Sequence, residues 1–171
     1  RDESGTTIVE FSITFLLLIS IALSVFEFSY LKAREVVLDR ATDNAFRELR
    51  LGLIPEPNHD KVKTAICEDE LAAQVLWDCE DNLLLEVREV PKSNWNIAMD
   101  GPICLDTTPA EDYEPPIVFT PGAENQLMVA RACLIQRPVF LSIEALFPVR
   151  RYDERGNFSL ISKSAFVNEP S

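Results

Sequence analysis

The chain has 171 residues and a net charge of −12, room for one domain plus an anchor. So acidic a balance argues against a nucleic-acid partner, which would need a basic patch. A single histidine, His59, cannot supply a metal cluster.

The first predicted element is apolar. Glu10 is a lone acid five positions after Gly5, and no residue from Phe11 to Phe26 is charged. With Ile8, Val9, Phe28 and Tyr30 the apolar stretch reaches about 23 residues, enough to span a bilayer as a helix over residues 8–30. An acid at the bilayer centre would cost roughly 2.5–3.5 kcal/mol. Glu10 lies near the start of the span and costs less, but it still calls for a partner or a role. Lys32 to Leu51 contains no Pro or Gly and is rich in Ala, Leu, Arg and Glu. Val37, Ala41, Ala45 and Leu49 recur every four residues and mark one helical face. One helix over 6–51 is therefore expected, about 70 Å long. Its outer half must carry or pack on a head. Gly52, Pro55 and Pro57 end it.

The head is expected over 58–171. Asn58 is placed to cap a second helix, with Val62, Ala65 and Ile66 as its apolar stripe. Cys67, Cys79, Cys104 and Cys133 all follow the apolar segment, and their even number points to two disulfides in an oxidising compartment. Four buried thiols are the alternative. Zinc is disfavoured because no short C-x2-4-C pair is present. A continuous helix would hold Cys67 and Cys79 about 18 Å apart, whereas a disulfide needs alpha carbons within about 7 Å. Either the helix breaks near Glu68-Asp69-Glu70, the reading favoured here, or these cysteines have other partners. The expected pairs are Cys67–Cys79, which flank a short segment, and Cys104–Cys133, which would hold down a long loop. Leu83 to Val90 alternates as a strand, stopped by Pro91. Residues 92–126 form a long, acidic, Pro-rich loop. Leu127–Gln136 reads as a second strand. Phe140, Ile143 and Phe147 fit a short helix or an irregular segment. Gly156-Asn157 is a turn signal, and Phe158–Val167 reads as a third strand. One long helix, a short helix and a small antiparallel sheet make an α+β protein.

No catalytic motif is present: neither G-x-S-x-G, nor a P-loop, nor H-E-x-x-H. The chain is read as a non-enzyme with no cofactor and no metal. Asp106, Glu111, Asp112 and Glu114 lack the glycine and acid spacing of an EF-hand. The acidic groups Glu68-Asp69-Glu70 and Glu111-Asp112 read as solvated faces, His59 as a solvated residue near a helix start, and Trp77 and Trp95 as packing residues.

Gly5-Thr6-Thr7-Ile8-Val9-Glu10-Phe11, the apolar run into Phe26-Glu27-Phe28, and the amphipathic stretch around Ala41 and Ala45 resemble the opening of TadE-like minor pilins of Tad (Flp) pili. The tail Ala165-Phe166-Val167-Asn168-Glu169-Pro170 is also similar. The likeness is best over residues 2–50. It implies a pilin-like architecture, with residues 1–5 as a leader remnant and some sequence upstream of Arg1. It implies cleavage between Gly5 and Thr6 by a prepilin peptidase, and assembly roles for Glu10 and Phe11. The Glu10 carboxylate would pair with the new amine of Thr6 on an adjacent subunit. The implied partners are membrane lipid, other Tad pilins and minor pilins, the peptidase and the inner-membrane Tad assembly platform. The implied location is the bacterial inner membrane with a periplasmic head, then the pilus outside the cell, in an initiating or tip role. TadF-like proteins share this plan. Lys32 and Arg34 after the span would by charge alone place the head in the cytoplasm; the cysteines and the resemblance place it outside. The alternative function is an uncleaved single-pass protein whose periplasmic head binds a ligand through residues 92–126.

Overall fold

The computed structural model describes residues 4–93, 95, 118–139 and 157–169, with the backbone alone for 4–6. In chain order the elements are α1 (Ser4–Arg50), α2 (His59–Cys67), α3 (Ala72–Val75), α4 (Cys79–Asn82), β1 (Leu83–Glu89), β2 (Leu127–Gln136) and β3 (Phe158–Val167). The long helix packs on a three-stranded antiparallel sheet of order β1-β2-β3, the expected α+β class.

α1 is unbroken for 47 residues. After Gly5 nothing inside it lacks an N–H or a side chain to restrain it until Gly52, and there it closes. Gly52, at φ +67, donates to Leu49 O at 3.1 Å, and Leu53 donates to Glu48 O at 3.0 Å. These two bonds satisfy carbonyls that the last turn leaves open, in a left-handed cap that glycine adopts without steric cost. Arg47 and Arg50 sit in that turn, where the helix dipole favours positive charge.

Asn58 caps α2 as predicted, its Oδ1 accepting the Lys61 N–H at 2.8 Å. The chain then breaks at the acidic triplet. The Asp69 carboxylate accepts the N–H groups of Leu71 and Ala72 and so starts α3. That break folds the chain back until Cys67 and Cys79 are bonded, with alpha carbons 5.7 Å apart. Cys133 is also disulfide-bonded; its expected partner Cys104 lies outside the described residues.

Alternation sorts the sheet into two faces. Leu83, Leu85 and Val87 share the core face with Met128, Ala130, Ala132 and Leu134, and with Leu160 and Phe166. From α1 come Leu38, Ala41, Ala45, Phe46 and Leu49, and from α2 Val62 and Ile66. Phe46 stacks on Phe166 with ring centres 5.5 Å apart. The predicted stripe Ala41-Ala45-Leu49 is buried, with Val37 at its margin and Leu38 at its centre. On the other sheet face Glu86 opposes Arg131, whose Nη2 donates to it at 2.7 Å, and Arg88 pairs with the same carboxylate.

The end of the 92–126 stretch is tied to the sheet. Val87 donates to Val118 O at 2.9 Å and Thr120 donates to Val87 O at 3.0 Å, giving a parallel bridge at Phe119 on the outer edge of β1. Asn168 Nδ2 bonds Pro121 O, and Arg50 pairs with Glu169 at 3.3 Å, so the chain's tail clamps both this segment and the end of α1. Residues 94 and 96–117, 140–156 and 170–171 lie outside the described residues, and with them the expected elements around Phe140, Ile143 and Phe147, the turn residue Gly156, and the acidic loop with Asp106, Glu111, Asp112 and Glu114.

Candidate functional site

The chemistry-bearing region is α1 itself. Gly5 and Thr6 lie in its first turns, one bond apart, where the expected cleavage would fall. Beyond them every residue from Thr7 to Leu23 is exposed except Ser20, which is half-buried. α1 is the one described helix long and apolar enough to cross a membrane. Its hydroxyls after Thr7 are satisfied within the helix: Ser12 donates to Ile8 O, Thr14 to Glu10 O and Ser20 to Leu17 O. From Phe11 to Leu23 no side chain therefore presents an unsatisfied polar group. Phe11, at 67 % exposure, stacks on Phe15 with centres 5.5 Å apart. Glu10 is exposed beside it, and none of the described hydrogen bonds or ion pairs occupies its carboxylate.

The helix changes character at Ser24. From there one side is covered, at Ser24, Glu27, Leu31, Arg34, Leu38, Ala41 and Ala45. The intervals alternate three and four, which keeps one stripe facing a partner surface. Two of these residues are charged, and both are fully buried. Glu27 accepts the backbone N–H of Val139 at 2.7 Å. The Arg34 guanidinium carbon sits 4.3 Å from the Tyr30 ring centre and 4.1 Å from that of Trp77. Its Nη2 also donates to the Tyr30 hydroxyl at 3.2 Å. A guanidinium is weakly hydrated and planar, so two aromatic faces can replace much of its water. The head thus reaches down α1 as far as Ser24, over the last two turns of the expected 8–30 span. Phe26 and Phe28 remain exposed, flanking this stripe.

Sequence reasoning missed this stripe. Its signal was there: Glu27 and Arg34 lie seven residues apart, in phase with Ala41. Apolar periodicity alone could not show it, because the stripe carries charge. Trp77 packs, as expected, but keeps 51 % of its surface exposed. His59 is not solvated as expected: its side chain is mostly covered, with its ring edge-on to Phe119 at 6.5 Å. Asp69, read as part of a solvated face, holds α3 and accepts from Asn44 at 3.2 Å. Its partial burial works to raise the pKa. The Asn44 amide, the two backbone N–H groups and the charge of Arg40 together outweigh that and hold it below the usual value. Among the described residues no three His, Cys, Asp or Glu side chains group as a metal site.

Compared with protein-family models, curated proteins and solved structures, the chain matches none.

Proposed function

We propose that this chain is a minor pilin of a Tad (Flp) pilus, a non-enzymatic subunit that is stored in the inner membrane and acts in pilus initiation or at the tip. What supports the reading is the continuity of α1. A single helix carries an exposed apolar half, headed by Gly5, Thr6 and Glu10, and a second half that forms the core of a disulfide-bonded α+β head. Such a helix suits two environments, lipid before assembly and neighbouring helices after it. An exposed carboxylate at its start, unpaired among the described residues, suits a neighbour's amine, since a charge entering an apolar filament core needs a partner. A head of this size fits a sparse or terminal position, not the bulk of a thin fibre. The periplasmic location follows from the same reading, with disulfides formed outside the cytoplasm.

Mass spectrometry of the N-terminus of membrane-extracted protein tests it. The mature chain should begin at Thr6. Gly5→Trp or Gly5→Arg should leave the precursor uncut, because the cleaved bond then carries a bulky side chain. Mature protein of unchanged length from either variant would remove the pilin reading and leave the uncleaved, single-pass binding protein.

A further inference from the structure

We propose that Trp77 seats in the headgroup layer of the bilayer, so that the Tyr30–Arg34–Trp77 stack is the part of the head that meets the headgroups while the chain is anchored. This rests on reading α1 as a membrane span and adds which head residues stand at the lipid surface.

Height along α1 follows from residue number, at about 1.5 Å per residue. A hydrocarbon layer of about 30 Å that begins at Ile8 ends near Phe28. The headgroup layer beyond it is roughly 5–8 Å deep, the next three to five residues. Tyr30 and Lys32 fall there, and Lys32 is the first exposed charge after Glu10. Arg34 lies at its outer limit, and the Trp77 ring lies against both Arg34 and Tyr30, with 6.3 Å between the two ring centres. Trp77 is supplied by the turn between α3 and α4, so a second part of the chain reaches the same level. Val139, 40 % exposed, sits a little deeper, at the height of Glu27. Tyrosine and tryptophan collect at this level in membrane proteins because the ring is apolar and its polar atom still meets water.

The occupant is lipid and not a second copy, because the patch continues through Tyr30, whose ring stacks on Phe26, into the exposed apolar surface of the same helix. The ring is also held in place. Arg34 is fully buried beneath it, and swinging Trp77 away would uncover a guanidinium whose charge the two rings screen. Glu27 is at a depth where an exposed carboxylate would be costly, and there the head covers it and the Val139 N–H bonds it.

The test uses the full chain in vesicles of phosphatidylethanolamine and phosphatidylglycerol. Trp95→Phe makes Trp77 the sole indole; Trp95 is 62 % exposed, so the change leaves the core untouched. Trp77 emission should shift to the blue. Lipids brominated near the glycerol should quench it more than lipids brominated near the chain ends, and aqueous iodide should quench it little. Iodide quenching without any bromolipid effect, in vesicles from which alkaline carbonate does not release the chain, overturns this proposal and leaves the anchor standing. Release by carbonate overturns the anchor and this proposal together. Blue-shifted emission insensitive to both quenchers would mean that protein covers Trp77, and it also overturns the proposal.

Discussion

Two glycines and one acid show how single residues hold the head together. Gly52 and Gly122 both have positive φ, at +67 and +75, but their surroundings differ. A Cβ on Gly52 meets open space, so Gly52→Ala should cost only the left-handed strain, about 1 kcal/mol. A Cβ on Gly122 would lie 2.4 Å from the Met128 sulfur and 2.8 Å from Asn168 Nδ2. Met128 is fully buried, so it cannot simply swing out. Gly122→Ala should therefore cost about 2–4 kcal/mol, strain and overpacking together; urea midpoints of the two variants give the comparison, and equal losses would show that Met128 yields freely. Asp69 makes a pH-dependent contribution. Its folded pKa is lowered from the ordinary 3.8, so the stability it supplies is fully present above that value and is lost as pH falls through the lower folded value. Asp69→Ala should cost about 1 kcal/mol at neutral pH, and the gap between variant and wild type should close on acidification below 3.8. A gap that does not change with pH would mean that packing, not the carboxylate, is what Asp69 supplies. The acid's role was invisible in sequence, since an acidic triplet reads the same whether it faces water or starts a helix.

At the scale of elements, the sequence was legible wherever one face is apolar and the ends are punctuated. β2 and β3 fall on their predicted limits, α1 within two residues, and the Asn58 cap and the break before Asp69 are where cap and disulfide geometry demanded them. Three things escaped. α3 and α4 are four residues each and too short for periodicity to reveal. Phe119 joins β1 from inside a segment whose composition says loop, because a single bridge leaves no pattern. Glu27 and Arg34 face the head although they are charged: Glu27 accepts a backbone N–H, and the Arg34 guanidinium lies against two rings. The staple at Cys67–Cys79 turns this local geometry into stability. It closes a loop of 12 residues, which constrains the unfolded chain by about 3 kcal/mol. Replacing both cysteines by serine should lower the unfolding free energy read from a denaturant titration by that amount, without changing the helix content of α1. A loss no larger than that of an ordinary surface substitution would mean that α2, α3 and α4 hold their places without it.

For the whole molecule, charge and height along one axis explain how a chain of net charge −12 can have an end that lipid accepts. All charge after Glu10 is withheld until Lys32 except Glu27, which the head encloses. Glu10 is then the one carboxylate in α1's apolar half with no shelter of its own. Under the pilin reading it carries the assembly step, pairing with the Thr6 amine of the next subunit and setting axial register. Lipid storage needs no such pairing, and removing an acid from the span reduces its insertion cost, at most by about 3 kcal/mol. Glu10→Ala should therefore remain in the membrane fraction at wild-type level or above, while pilus number falls. Glu10→Asp, which keeps the charge on a shorter arm, should retain part of the assembly. Electron-microscopic counts alongside carbonate-resistant protein separate the two effects. Wild-type pilus numbers for Glu10→Ala would remove the carboxylate from the mechanism, and loss of the protein from the membrane would assign Glu10 to insertion instead.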